Sequence, residues 1–139
     1  MLIGEYQHNI DPKGRLFMPA RLREELGEHF IVTKGLDNCL FVYSPEEWHG
    51  LEKKIRALPL SKSRNLQRFF FAGAAELEAD KQGRVLIPQN LREYASLSKD
   101  AIITGGADHV EIWDKQRWNE ICGSITSESM AEAMDELDF

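Results

Sequence analysis

Residues 11–15 are Asp-Pro-Lys-Gly-Arg, and residues 80–84 are Asp-Lys-Gln-Gly-Arg, 69 positions later. The same offset pairs Pro19-x-x-Leu22-Arg23-Glu24 with Pro88-x-x-Leu91-Arg92-Glu93. Allowing one or two extra residues in loops, 31–33 matches 102–104 and Trp48 matches Trp118. A fixed internal period takes precedence over local propensity in deciding an architecture. The chain therefore consists of two copies of one unit.

Each unit is predicted to be mainly β with short helices, an α+β class. Tyr6, His8 and Ile10 alternate with polar residues, which is typical of a strand. The short apolar runs 16–18 and 85–87 each end at a proline, which suits the first position of a helix. A second strand pair is predicted at 30–33 with 40–43, and again at 101–104 with 110–113.

The closing helix of the first unit begins at Ser44-Pro45-Glu46-Glu47, which predicts a capping box. Its apolar stripe is predicted to contain Trp48, Leu51, Ile55 and Leu58. In the second unit Asp114 is the predicted cap.

The chain divides into residues 1–60 as the first unit, 61–70 as a linking helix capped by Ser61, 71–125 as the second unit, and 126–139 as an acidic tail. A four-strand unit cannot hide its apolar face alone. We therefore expect the units to pair about a pseudo-two-fold axis into one swapped-hairpin β-barrel, rather than to form two independent mini-domains. The Phe69-Phe70-Phe71 run indicates a packed connection between them.

The two Asp-x-x-Gly-Arg segments fit three-residue hairpin loops. In this interpretation Asp11 and Asp80 cap the turns, and Gly14 and Gly83 occupy the left-handed position. The aspartate and arginine are close enough to form an ion pair across the hairpin. Geometry alone leaves two interpretations open, a purely structural turn or a turn that binds a partner.

The net charge of −6 is unevenly distributed. Residues 1–70 hold 11 Lys and Arg against 9 Asp and Glu, and residues 71–139 hold 6 against 14. Because DNA affinity depends on where cations are located, the first half is the better candidate to meet phosphate. The candidate DNA-binding side chains are Lys13, Arg15, Arg21 and Arg23, with Lys81 and Arg84 in the second unit. There Gln82 and Asn90 replace two cations, so the second turn is expected to contribute less.

The stretch 4–23, Gly-Glu-Tyr-Gln-His-Asn-Ile-Asp-Pro-Lys-Gly-Arg-Leu-Phe-Met-Pro-Ala-Arg-Leu-Arg, together with residues 80–84, resembles the MraZ family within the AbrB-like swapped-hairpin proteins. The resemblance implies a cytoplasmic, nucleoid-associated regulator that binds short G-rich direct repeats. The implied promoter is that of the division and cell-wall gene cluster, which such proteins usually repress. It also implies ring-shaped homo-oligomers, commonly octamers, and it maps the family's Asp-x-x-x-Arg element onto Asp11 with Arg15 and Asp80 with Arg84.

No enzyme is expected, because no nucleophile, base or metal set converges in the sequence. His8 is interpreted as a core or interface residue, and His29, His49 and His109 lack partners at ligand spacing. Cys39 and Cys122 are predicted to be reduced packing residues. No cofactor, metal or membrane segment is expected.

Two alternatives to a DNA-binding regulator remain open. The acidic tail, with Met130, Met134 and Leu137 at helical spacing, suits either a helix docked on a neighbouring subunit or a frayed end. Related swapped-hairpin proteins use such tails to cap a toxin, so an antitoxin-like module is one alternative. The other is a structural ring scaffold that does not bind DNA.

Overall fold

Each half of the chain contributes four strands and three α-helices to the computed structural model, which describes residues 1–138. The strands are β1 (Glu5–Asn9), β2 (Arg15–Phe17), β3 (His29–Lys34), β4 (Leu40–Tyr43), β5 (Ala75–Glu78), β6 (Arg84–Leu86), β7 (Asp100–Gly105) and β8 (Val110–Asp114). The helices are α1 (Ala20–Leu26), α2 (Pro45–Arg56), α3 (Leu60–Leu66), α4 (Gln89–Tyr94), α5 (Lys115–Ser124) and α6 (Ser127–Met134). This confirms the mixed character expected from the sequence.

The strands of the two units pair with each other. A six-stranded antiparallel sheet runs β1-β7-β8-β4-β3-β5, and a separate two-stranded ribbon is formed by β2 and β6. Replacing each strand by its counterpart in the other unit gives the same sheet order in reverse. The two units are therefore not independent mini-domains. Within residues 1–138 the strands do not close into a single hydrogen-bonded barrel, and the ribbon meets the sheet through the bridge between Ile10 and Leu16.

One main core is shared by both units. Its fully buried side chains include Leu16, Phe30 and Val32 from the first unit and Val85 and Ile103 from the second. The opposite face of the sheet carries a smaller cluster of Cys39, Ile102 and Trp113, packed against residues of α5. Burying a large apolar side chain stabilises a fold by about 1.5–3 kcal/mol, so the shared core holds the units together.

The helix starts agree only in part with the sequence predictions. Pro19 and Pro88 are the N-cap residues of α1 and α4, with ψ of 140° and 144°, instead of first helical residues. The backbone at these prolines is extended, so each helix begins one residue later than predicted. At α2, Ser44 accepts a bond from the Glu47 amide at 3.2 Å, which is the first half of the predicted capping box. Asp114 caps α5 as predicted.

The apolar stripe of α2 is shorter than predicted. Ile55 is buried and Trp48 and Leu51 are half-buried, but the helix ends at Arg56 and leaves Leu58 exposed.

The segment joining the units is packed, as the Phe run indicated. α3 begins after Pro59, before the predicted Ser61 cap, and continues into a π-helical turn at Gln67–Phe71. Phe70 is buried, and its carbonyl accepts a 2.6 Å hydrogen bond from the Thr33 hydroxyl.

The acidic tail contains the helix α6, capped reciprocally by Thr126 and Ser129. Phe139, the last residue of the predicted tail, lies outside the described residues. Among residues 1–138 no helix is long and apolar enough to cross a membrane.

Candidate nucleic-acid interface

The first turn is held by hydrogen bonds that converge on Asp11. Its Oδ1 accepts from the amides of Lys13 at 3.0 Å and Arg15 at 2.8 Å, and its carbonyl accepts from the Gly14 amide at 2.9 Å. Gly14 has a φ of +88°, a left-handed conformation that a Cβ disfavours. The predicted three-residue hairpin is confirmed here.

The second turn repeats the first. Asp80 accepts from the amides of Gln82 and Arg84, both at 2.9 Å, and Gly83 has a φ of +82°. The Arg15 amide beside Asp11 and the Arg84 amide beside Asp80 hold the pKa of each carboxyl below its usual value. Both aspartates therefore stay ionised at neutral pH and keep the turns closed.

Ion pairs fix the direction of the two motif arginines. Arg15 Nε lies 2.6 Å from Asp11 Oδ2, and Arg84 Nε lies 3.0 Å from Asp80 Oδ2. Arg84 also reaches across to the first turn, with Nη1 4.0 Å from Asp11 Oδ2. Surface pairs of this kind contribute only about 0–1 kcal/mol to stability. Their effect is to orient two guanidinium groups, which keep free donors for a partner.

The ribbon presents these arginines on one face. Arg15 pairs with Leu86 and Phe17 with Arg84, so these four side chains share the outer face, while Leu16 and Val85 between them are fully buried. Arg15 and Arg84 side chains are 32% and 31% exposed. The outer face of the ribbon, with Lys13 and Lys81 exposed in its flanking turns, is the candidate site.

Arg23 is not grouped with Lys13 and Arg15, contrary to the sequence interpretation. Its Nε donates to the Met18 carbonyl at 2.8 Å, and its guanidinium lies over Gly83 of the other unit's turn, 3.0 Å from where a Cβ would stand. The reason is the strand pairing, which brings Met18 next to Gly83 and so carries α1 to the second turn. Arg23 is thus located at the second turn, apart from Lys13 and Arg15.

Arg92 makes the symmetrical contact. The sequence comparison aligned this residue with Arg23 but did not assign it to the site. Its Nε donates to the Ile87 carbonyl at 3.0 Å, and its guanidinium lies over Gly14, 2.6 Å from the position of a Cβ. Each turn is therefore covered by an arginine from the opposite unit.

An acidic cleft flanks the second turn. The cleft, about 610 Å³ in volume, is lined by Arg23 and by four carboxylates, Glu24, Glu28, Glu78 and Asp80. At the 69-residue offset the counterparts of Glu28 and Glu78 are Leu97 and Asn9, which carry no charge. Arg21 is exposed on α1 and is not among the residues that line this cleft. The potential around the second turn is consequently less favourable to phosphate than that around the first.

His109 has partners that the sequence comparison missed. Its ring nitrogens lie 2.7 Å from Asp108 Oδ1 and 3.0 Å from Glu111 Oε2, and Glu111 also accepts from the Trp113 indole. The hydrogen bond to Glu111 raises the pKa of His109 and lowers that of Glu111. In the described part of the chain, no group of three or more His, Cys, Asp or Glu is arranged to hold a metal ion.

The two cysteines differ, because only one of them is a packing residue. Cys39 is fully buried and burial raises the pKa of its thiol to about 12, whereas Cys122 is exposed on α5. The prediction of two packing cysteines is therefore wrong for Cys122.

The repeated strand-turn-strand unit and the paired Asp-x-x-Gly-Arg turns define a class of duplicated swapped-strand proteins with a cationic ribbon. The chain belongs to the MraZ family, whose sequence profile, described as "MraZ protein, putative antitoxin-like", matches residues 1–68 and 70–138. Relatives named "Transcriptional regulator MraZ" are 59% identical in Acetivibrio thermocellus, over 96% of each chain, and 56% identical in Heliobacterium modesticaldum, over the whole of both. A third, from Thermoanaerobacter sp., is 55% identical over both full lengths. Transcriptional regulation is a non-enzymatic role, in agreement with the expectation from the sequence.

Proposed function

We propose that this chain is a cytoplasmic, nucleoid-associated transcriptional regulator that binds double-stranded DNA through the outer face of the β2–β6 ribbon. The major groove admits a two-stranded ribbon, and arginine pairs with the O6 and N7 atoms of guanine. The observation that carries the proposal is the pair of oriented, partly exposed guanidinium groups of Arg15 and Arg84 on one face. Lys13 and Lys81 are exposed in the flanking turns and Arg21 is exposed on α1, and we expect these three cations to contact phosphates.

The proposed DNA target is a set of short G-rich direct repeats in the promoter of the division and cell-wall gene cluster, which the protein represses. Two guanine-reading arginines support a G-rich site. One ribbon gives a small contact area, and a homo-oligomeric ring, with an octamer favoured, would engage several repeats at once. The unit boundaries at 60, 70 and 125 and a pseudo-two-fold relation between the two units are part of the same proposal.

The two turns are proposed to contribute unequally to binding. Glu24, Glu28 and Glu78 beside the second turn repel phosphate, while the first turn lacks two of these charges. Arg15→Ala is therefore expected to weaken binding by about 1–3 kcal/mol, and Arg84→Ala by less. Arg23 and Arg92 are assigned to holding the turns and not to contacting DNA.

The experiment is selection of genomic fragments by the purified protein, followed by affinity measurements on the selected site. Arg15→Ala is compared with Lys99→Ala, which removes an exposed cation outside the ribbon. Selective enrichment of repeated G-rich promoter DNA, with affinity reduced in Arg15→Ala and kept in Lys99→Ala, supports the proposal. Equal recovery of all fragments, or an equal reduction in both variants, refutes it.

An antitoxin-like role is a second candidate, favoured by the family description and by the exposed acidic helix α6. Deleting the residues after Ser124 discriminates between the two. Loss of a protein partner would support the antitoxin-like role, and retained affinity for a single repeat supports the regulator.

A further inference from the structure

The tail helix α6 exposes an apolar stripe. Met130 and Met134 on α6, and Leu137 in the 3-10 turn that follows it, recur at helical spacing and are 42%, 44% and 65% exposed. The helix has eight residues, fewer than an isolated helix needs for stability in water, although it is fully capped at its start. A partner that covers the stripe would supply the missing stability.

A surface of opposite charge lies on α2, α3 and the loop between them. Residues 53–68 contain six Lys and Arg and no Asp or Glu. All six are exposed: Lys53, Lys54, Arg56, Lys62, Arg64 and Arg68. In the described part of the chain, only Arg56 among them has a carboxylate within 4 Å, that of Glu52 at 3.5 Å. We call this segment the α2–α3 surface.

The α2–α3 surface is apolar at its centre. Between the two groups of cations, Leu58 in the loop and Leu60 at the start of α3 are exposed, and Leu60 is 72% exposed. The tail mirrors this arrangement, with an apolar stripe and five carboxylates between residues 126 and 138, and with no Lys or Arg. The two segments therefore match both in charge and in apolar content.

We infer that the tail of one copy docks on the α2–α3 surface of a second copy, with the apolar stripe against Leu58 and Leu60 and the carboxylates among the surrounding cations. The contact is heterologous, since the tail and its receiving surface are different parts of the chain. Repeated head-to-tail contacts of this kind close into a ring when the rotation permits. The inference rests on the oligomeric ring of the proposed function and assigns one of its contacts.

The test is charge reversal in the full-length protein, read by sedimentation velocity. Glu128→Lys with Glu132→Lys in the tail, or Lys62→Glu with Arg64→Glu on the surface, should each lower the oligomer size. Combining the four substitutions should restore it. Glu120→Lys on α5 and Lys99→Glu are matched single-charge controls outside both segments and should leave the size unchanged.

The apolar part of the contact has its own variant. Met130→Gln with Met134→Gln should also lower the oligomer size, and these residues lie outside both core clusters, so the fold is kept. Thermal unfolding of this double variant checks that the fold is kept. In a mixture of a tail variant with a surface variant, only the intact tail of the surface variant can dock on the intact surface of the tail variant. The mixture should therefore give dimers.

Three results would overturn the inference. If none of these substitutions changes the oligomer size, the tail contact is excluded but the ring proposal remains. A monomeric wild-type protein removes both. Loss of DNA affinity in the surface variants at unchanged oligomer size would assign the α2–α3 surface to DNA instead.

Discussion

The substitution Gly14→Ala tests the crossed arrangement of arginines and turns. A residue with a Cβ in the left-handed conformation costs about 1–2 kcal/mol. The added Cβ would stand 2.6 Å from Arg92 Cζ, so the end of this side chain has to shift, which weakens its hydrogen bond to the Ile87 carbonyl. Hydrogen bonds of charged groups contribute about 1.5–3 kcal/mol, less where partly exposed. The expected total loss is roughly 1–3 kcal/mol of unfolding free energy, most of it from the left-handed backbone.

The assay is equilibrium denaturation followed by far-UV circular dichroism, with Gly50→Ala as the matched control. Gly50 lies within α2, and a Cβ there meets nothing within 4 Å. That substitution should raise stability by up to about 1 kcal/mol through helix propensity. Gly14→Ala as stable as the wild type, or both variants equally destabilised, would refute the account of the turn.

Three further predictions concern titratable groups. Amide hydrogen bonds lower the Asp11 pKa below its usual 3.8, so the turn's contribution is present above that pH and is lost as pH falls through the lowered value. The amide resonances of the turn should shift with pH over that range in the wild-type protein and not in Asp11→Asn. The same pH response in both proteins would contradict the prediction. The hydrogen bond to Glu111 raises the His109 pKa above 6.5. Stability should therefore be full below pH 6.5 and decline as pH rises through the raised value, a slope absent from the melting temperatures of His109→Gln. A thiol reagent at about pH 8 should modify Cys122 alone in the folded protein and Cys39 only after denaturation; rapid labelling of both would contradict the burial.

The repeat made most of the fold predictable. The 69-residue offset relates residues that play equal roles in the structure, and the alternation of Tyr6 and His8 correctly identified the first strand. The turn geometry also followed from residue chemistry, because few residues other than glycine adopt the backbone found at Gly14 and Gly83.

The errors about the site concern contacts between distant segments. Sequence proximity suggested that Arg23 acts with Lys13, but strand exchange moves α1 to the other turn, and only the pairing of Met18 with Gly83 reveals this. The acidic cleft beside Asp80 likewise combines residues about 50 positions apart. The signal available in the sequence was the matching of Arg23 with Arg92, which pointed to a shared structural role.

The assignment of the ribbon to DNA is tested most directly by the salt dependence of binding. The logarithm of the binding constant is measured against the logarithm of salt concentration for the wild type, Lys13→Ala, Arg15→Ala and Lys99→Ala. Removing one cation from a phosphate lowers the magnitude of the slope by about 0.9 on B-form DNA. We expect this reduction for Lys13→Ala, a weaker affinity for Arg15→Ala, and wild-type behaviour for Lys99→Ala. Wild-type slope and affinity in both ribbon variants would contradict it.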